Sequence, residues 1–228
     1  MQSISPINKD QSMNFKGLLF DLDGTLIDSL AIVDLAWRQF ARRNQLDEDK
    51  TMDFIHGRPA LQSVQQLLPD LSKAKQQHEF NLLNEFETNN TDGIVVLNGT
   101  RELLAQLEAR DVPWAIVTSG TKAVAFARVQ ACQLPMPKVF ITADHINKGK
   151  PDPEPYLLGA SSLGLDASDC IVFEDAPAGV TSGVEAGCRV IAIDSHYTKQ
   201  QLAAADIFVD SLAQVSLSAH ALSLDFKA

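Results

Sequence analysis

The chain of 228 residues has few cysteines and no long apolar run, and both absences exclude classes of protein. Its three cysteines, Cys132, Cys170 and Cys188, lie far apart, so neither a disulfide framework nor a zinc site is expected. No stretch approaches the roughly 18 consecutive apolar residues of a membrane-spanning helix. Residues 1–14 also lack the apolar region of a secretion signal. We therefore expect a cytoplasmic protein with no membrane partner and a disordered tail over residues 1–14.

Basic residues are also scarce. Lysine and arginine number 19 against 29 aspartates and glutamates, which gives a formal net charge of −10. Nucleic acids bind largely through phosphate charge, so a nucleic-acid partner is disfavoured. Apolar residues at 45% and charged residues at 21% are ordinary for a globular protein. We expect a monomer or weak dimer with one core domain and an insertion.

Short apolar runs alternate with helical patterns along most of the chain, which is typical of parallel strands joined by crossover helices. The predicted strands, in order, are Gly17–Phe20, Trp114–Val117, Val139–Ile141, Cys170–Phe173 and Arg189–Ile193, with an edge strand at Ile207–Val209. The segment after Val215 carries too little pattern to assign. The predicted fold class is α/β, an open parallel, Rossmann-like sheet with helices on both faces.

Residues 29–92 interrupt this alternation, because they hold helical periodicities with no convincing strand between them. We expect an α/β catalytic core of residues 15–28 and 93–228 and an all-helical insertion of residues 29–92. The insertion follows the first strand directly, so it should lie above the carboxyl edge of the sheet. Ligands of open parallel sheets bind at that edge.

The first predicted strand ends in two carboxylates, Asp21 and Asp23, followed by Gly24. The period of two in an extended chain points both side chains to one side. An Asp-Gly dipeptide is also a turn signal, and aspartate often caps a helix. An EF-hand calcium loop is excluded, because Thr25 and Leu26 stand where it requires an acidic or amide ligand and a glycine.

Polar residues follow three further strands. Thr118 and Ser119 follow the second strand, Lys150 lies a loop beyond the third, and Glu174 and Asp175 follow the fourth. Each alone is explained by a polar turn, a solvated lysine or a helix cap. Together they converge on the edge where an α/β sheet binds ligands. Two acidic pairs, a hydroxyl and a lysine are what one phosphoryl-transfer mechanism requires.

The carboxylates would repel a phosphate ester unless cations were present. At an effective dielectric constant of about 20, each like-charge pair 4 Å apart costs about 4 kcal/mol. Mg²⁺ and Lys150 would offset most of this repulsion. The oxygen-only donor set suits a hard cation such as Mg²⁺ and offers no soft ligand for zinc.

In this order and setting the motifs resemble those of the haloacid dehalogenase superfamily of phosphohydrolases, and the chain looks like its sugar-phosphatase branch. The motifs are Asp21-Leu22-Asp23-Gly24-Thr25, Thr118-Ser119, Lys150-Pro151 and Glu174-Asp175, with Ala178-Gly179 following. The resemblance implies that residues 29–92 are a mobile cap. Substrate choice would lie in that cap, where His56, Gly57 and Arg58 are predicted to contact the substrate. Surface polar residues flanking a helix entry are the alternative explanation.

The resemblance also implies the role of each core residue. Asp21 would be the nucleophile that forms an aspartyl-phosphate. Asp23, with a raised pKa, would protonate the leaving alcohol and then deprotonate the attacking water. Thr118 and the backbone N–H of Ser119 would hold the phosphoryl oxygens, and Lys150 would neutralise the nucleophile and the transferring group.

The metal ligands implied by the resemblance are the Asp21 carboxylate, the Asp23 main-chain carbonyl and Asp175, with Glu174 acting directly or through water.

Two differences from related enzymes indicate which branch of the superfamily the chain resembles. Dehalogenases of this family lack the second aspartate, which is present here. Related sugar-phosphate mutases carry a histidine four residues after a Thr or Ser that follows the first motif. Here Ser29 takes the place of the Thr or Ser, and Val33 takes the place of the histidine. Hydrolysis of a small sugar or polyol phosphate is predicted; a mutase or a non-catalytic phosphosugar-binding module are the alternatives.

Overall fold

The computed structural model describes residues 12–55, 59–194, 197–219 and 222–226. The helices among them are α1 (Leu30–Arg43), α2 (Glu48–Ile55), α3 (Ala60–Leu67), α4 (Lys73–Asn89), α5 (Thr100–Ala109), α6 (Lys122–Ala131), α7 (Glu154–Ser162) and α8 (Pro177–Glu185). The strands are β1 (Ser12–Asn14), β2 (Gly17–Phe20), β3 (Ile27–Asp28), β4 (Val95–Val96), β5 (Trp114–Val117), β6 (Val139–Ile141), β7 (Cys170–Glu174), β8 (Arg189–Ile193), β9 (Ile207–Val209), β10 (Val215–Leu217) and β11 (Ser223–Phe226). Short 3₁₀ turns complete the connections.

A parallel six-stranded sheet in the order β6-β5-β2-β7-β8-β9 forms the centre of the molecule. Alternate residues of a strand point to opposite faces. On β2, Leu18 and Phe20 pack with residues of α5 and α6, and Leu19 packs with residues of α7 and α8. Helices therefore cover both faces, and the predicted α/β fold class is confirmed.

Aromatic rings link the three neighbouring strands β5, β2 and β7. Phe20 of β2 stacks on Phe173 of β7, with ring centroids 4.7 Å apart, and meets Trp114 of β5 edge-on at 6.1 Å. Such pairs contribute about 0.5–1.5 kcal/mol each beyond the burial of their area. Because Phe20 and Phe173 directly precede Asp21 and Glu174, this packing fixes the spacing of the carboxylates that follow.

Between β3 and β4 the described residues form four helices, α1 to α4, and no strand. These helices have a core of their own, in which Trp37 meets Phe40 edge-on at 5.2 Å and Val64 and Leu83 are buried. The sequence pattern did not predict α2, because its apolar residues are few among charged ones. The chain enters this four-helix segment after β3 and leaves it before β4, and the pairing of Ile27 with Val96 holds these two strands together.

The expectation of a disordered tail through residue 14 is wrong for its last three residues. β1 pairs with β11, which places Met13 opposite Leu224, and Met13 is buried beside Phe226. β11 also pairs with β10, so the segment after Val215 is ordered where described. The pattern was missed because three-residue strands show too few alternations to be recognised. Residues 1–11 lie outside the described residues.

All three cysteines are free and buried, as expected of small apolar side chains. In the described part of the chain, no helix combines the length and the apolar character needed to cross a bilayer.

Candidate active site

The strand order brings the predicted motifs together, because β5, β2 and β7 are neighbours and their polar residues follow at the same edge. The backbone ladder continues past the strand ends. The Asp21 N–H donates to the carbonyl of Phe173, and the Thr118 N–H donates to that of Ile141, each at 3.0 Å. The backbone thereby fixes where these two side chains leave the sheet.

Lys150 lies at the centre of the cluster and is only 4% exposed. Its Nζ donates to Asp21 Oδ1 and Glu174 Oε1, both at 2.6 Å, and to the Val117 carbonyl at 3.0 Å. An ammonium has three donors, so all of them are used. Burial by itself lowers the pKa of Lys150, but Asp21 and Glu174 outweigh it and hold the pKa above its usual value. The lysine is therefore a fixed positive charge.

Asp21, Glu174 and Asp175 form a buried acidic cluster in which one carboxylate oxygen of each lies within 4.8 Å of the others. Burial, opposed by Lys150 and reinforced by Glu174, raises the pKa of Asp21 to about 8. Burial and the carboxylates of Glu174 and Asp21 raise the pKa of Asp175 well above its usual value. One ammonium beside three carboxylates leaves an excess negative charge that a divalent cation would match. This cluster could hold a metal ion, and its oxygen donors favour a hard one.

Glu174 is held on all sides. Its Oε1 accepts from Lys150 Nζ and from the Tyr156 hydroxyl at 2.9 Å, and its Oε2 accepts from the N–H groups of Asp175 and Ala176. A carboxylate has about four lone-pair sites, so these four bonds use its accepting capacity. Glu174 therefore fixes the positions of the protein groups around it, and its oxygens have little capacity left to bind a ligand directly.

Gly24 permits Asp175 to approach the first motif closely. Its φ is +88°, and a Cβ at this position would lie 2.2 Å from Asp175 Oδ2. Gly93 has the same φ of +88°, but nothing lies within 4 Å of its would-be Cβ. The two glycines therefore share a backbone conformation and differ in crowding.

Replacing each glycine with alanine should separate these two effects. Gly93→Ala bears the left-handed backbone cost alone, about 1–2 kcal/mol. Gly24→Ala bears that cost and a clash with a buried carboxylate, so we expect it to lower the free energy of unfolding by at least about 1 kcal/mol more. Urea unfolding of both variants measures the difference. Equal losses would show that Asp175 moves away freely.

Ser29 and Arg128 hold Asp23 apart from the acidic cluster, and Arg128 is not among the residues predicted from the sequence. Asp23 Oδ1 accepts from Ser29 Oγ at 2.6 Å and from Arg128 Nη1 at 2.7 Å. Arg128 Nη2 donates to Glu87 Oε2 of α4 at 2.6 Å. Burial raises the pKa of Glu87 to about 7 despite the opposing effect of Arg128.

A usable signal for Arg128 was present in the sequence. It lies four residues after Val124 and three after Ala125, which places it on the buried face of α6. An arginine on such a face requires a carboxylate partner, because burying an unpaired charge is costly. Periodicity does not say which carboxylate that is.

A cavity of about 190 Å³ opens between the sheet edge and the four-helix segment. Its core side is lined by Asp21, Asp23, Thr118, Ser119, Lys150, Glu174 and Asp175, so the structure brings all the predicted core residues together. Val33, Trp37 and Ile55 line it from the helical side. The predicted substrate contacts His56, Gly57 and Arg58 directly follow Ile55 but lie outside the described residues, so they stay predictions.

Comparisons with known proteins identify relatives of this chain. The chain is 46% identical over 206 residues to hexitol phosphatase A of Escherichia coli K12, covering 90% of this chain and 95% of that protein. It is 32% identical to 2-deoxyglucose-6-phosphate phosphatase 2 of Saccharomyces cerevisiae, with 87% and 89% covered. A solved β-phosphoglucomutase from Clostridium difficile shares the fold at a TM-score of 0.79 and 21% identity, with 88% and 92% covered. The model of the haloacid dehalogenase-like hydrolases matches residues 18–193, and the chain belongs to that family.

Proposed function

We propose that this protein is a Mg²⁺-dependent phosphatase that hydrolyses small polyol or sugar phosphates through an aspartyl-phosphate. The observation that carries the proposal is the buried Lys150, which bridges Asp21 and Glu174 at 2.6 Å each in the cavity that Thr118 also lines. A nucleophilic carboxylate, a fixed cation and a hydroxyl in one cavity are suited to the transfer of a phosphoryl group.

The reaction has two halves. Asp21 attacks phosphorus, its new O–P bond forms as the ester O–P bond breaks, and Asp23 gives its proton to the departing alcohol. Asp23 then takes a proton from water, which attacks phosphorus and releases phosphate, so Asp21 is restored. Thr118, with the N–H of Ser119, holds the phosphoryl oxygens. Lys150 keeps the Asp21 carboxylate in place and offsets charge on the transferring group.

Magnesium fits the acidic cluster because the donors are carboxylates and their charge exceeds that of Lys150. Asp21 and Asp175, with the Asp23 main-chain carbonyl, would hold the ion. Glu174, whose oxygens already accept four hydrogen bonds, would act through water. The bound ion supplies positive charge that reduces the repulsion between the carboxylates and a phosphate ester.

Asp175→Asn should separate metal binding from folding. In EDTA we expect the variant to be at least as stable as the wild type, because one charge leaves a repulsive cluster. Mg²⁺ at 100 times its dissociation constant should add about 2.7 kcal/mol to the free energy of unfolding of the wild type. At the same concentration the variant should gain less than about half of that.

Urea unfolding with and without Mg²⁺ measures both quantities. The exposed Asp92→Asn is the matched control and should respond to Mg²⁺ as the wild type does. An undiminished Mg²⁺ response of Asp175→Asn would count against Asp175 as a ligand.

We place substrate selection in the four-helix segment, with residues 29–92 as the cap. Two relatives are named hexitol phosphatase and 2-deoxyglucose-6-phosphate phosphatase, and these names favour short polyhydroxy phosphates as the substrates of this chain. Val33 lines the cavity, where the related mutases carry a histidine, which favours hydrolysis over mutase chemistry. The cytoplasmic location and the monomeric or weakly dimeric state stay predictions.

A phosphate-release screen tests the proposal. Hexitol, hexose, deoxyhexose, pentose and glycerol phosphates are each incubated with the protein and Mg²⁺, and we expect the hexitol phosphates to be among the best substrates. Conversion of β-glucose 1-phosphate to glucose 6-phosphate without phosphate release would instead identify a mutase. Tight binding of a phosphosugar with no phosphate release from any compound would identify a binding module.

A further inference from the structure

The phosphatase reaction gives no direct task to a buried charge network that joins the core to the cap. Arg128 of α6 is 3% exposed, and its two terminal nitrogens donate to Asp23 and to Glu87. Asp23 comes from the loop after β2, and Glu87 lies near the end of α4. The network therefore connects the proton-transfer residue to helix α4 of the cap through one side chain.

The chemistry of this network favours orientation over stability. A buried ion pair rarely adds more stability than apolar side chains of the same volume would. A guanidinium does fix the direction of two acceptors, because its donors form a rigid planar fork. Burial opposes the charge on Arg128, but Asp23 and Glu87 hold its pKa above the usual value, so the fork stays charged.

The two oxygens of Asp23 are used differently. Arg128 Nη1 and Ser29 Oγ both donate to Oδ1, and none of the described residues donates to Oδ2. Oδ2 is thus the oxygen left to carry the proton that the mechanism exchanges with the leaving alcohol. Any rotation of the carboxylate that turned Oδ2 away would break two short hydrogen bonds.

We propose that Arg128 is a positioning residue, which fixes Asp23 for proton transfer and is itself fixed by Glu87 of the cap. The inference rests on the proposed function, and it adds a link between cap and chemistry. While α4 lies against α6, Glu87 accepts a hydrogen bond from Arg128, and Arg128 in turn holds the Asp23 carboxylate through its Oδ1. Without α4 against α6, Arg128 would lose the second carboxylate that fixes the guanidinium bonded to Asp23.

The dependence of the rate on the leaving group tests this role. An alcohol must be protonated as it leaves, whereas 2,4-dinitrophenolate leaves as a stable anion. Single-turnover rates of leaving-group release are measured with the best polyol phosphate of the screen and with 2,4-dinitrophenyl phosphate. Arg128→Met should slow release of the alcohol by about a hundredfold and release of dinitrophenolate by less than about threefold.

The ratio of the two slowing factors decides the outcome. A ratio of about ten or more supports the proposal, and a smaller ratio overturns it, because a structural defect would slow both esters alike. Arg128→Met leaves Glu87 buried without its cation and could fail to fold. In that case the double variant Arg128→Met with Glu87→Gln carries the same test, because the neutral amide removes the orphaned charge.

Asn84→Ala is the matched control. Asn84 Oδ1 accepts from Thr121 Oγ1 at 2.5 Å, so this pair joins α4 to the residue that caps α6, but neither residue bonds Asp23. We expect Asn84→Ala to affect both esters equally. If it showed the selectivity of Arg128→Met, looser packing of α4 would explain the effect and overturn the proposal. A wild type that releases phosphate from neither ester would instead overturn the proposed function, and the role of Arg128 with it.

Discussion

Asp21→Asn should lower turnover by at least about a thousandfold while the protein stays folded. The amide is nearly the same size as the carboxylate but is a poor nucleophile, so no aspartyl-phosphate can form. Its Oδ1 can still accept from Lys150, which keeps the local hydrogen bonding. Phosphate release from the best substrate of the screen measures the loss, and circular dichroism checks the fold.

Two further measurements make this result specific to the nucleophile. Rapid quenching with ³²P-labelled substrate should label the wild-type protein covalently and leave Asp21→Asn unlabelled. The exposed Asp92→Asn makes the same chemical change away from the cavity and should keep full activity. Retention of more than a few per cent of the wild-type rate by Asp21→Asn would refute the role assigned to Asp21.

Lys150→Met should lower both stability and activity. Removing one partner of a buried charge network leaves the others uncompensated, which costs about 3–5 kcal/mol. Here two carboxylates, Asp21 and Glu174, lose the same ammonium, and Asp175 lies beside them. Phosphoryl transfer should also fall by at least about a hundredfold, because a fixed cation at the transferring group is lost. Urea unfolding and phosphate release measure the two effects separately.

Lys148→Met is the matched control for the lysine. The side chain of Lys148 is 74% exposed, and its Nζ lies 3.6 Å from Asp152. An exposed pair of this kind contributes about 0–1 kcal/mol, so we expect little change in stability or turnover. Equal stability losses for the two variants would show that Lys150 does not balance the acidic cluster.

Local patterns predicted those parts of the structure in which one strand or helix carries its own signal. The four buried residues of β2 are a continuous apolar run, and such a run indicates a central parallel strand without knowledge of its neighbours. The motifs at the strand ends were equally readable, because every carboxyl end of a parallel sheet faces the same edge. Short elements carry no such signal. Strand β1 has three residues, and only its pairing with β11 makes Met13 part of the core.

The sequence by itself thus determined the class of fold, the edge at which the site forms and the chemical character of the core residues that line it. Tertiary structure alone decided the contacts among them. Arg128 meets Asp23 across 105 residues of chain and Glu87 across 41. Periodicity specifies which face of a helix is buried but carries no information about which distant side chain that face meets. That choice follows from how α4, α6 and the loop after β2 pack.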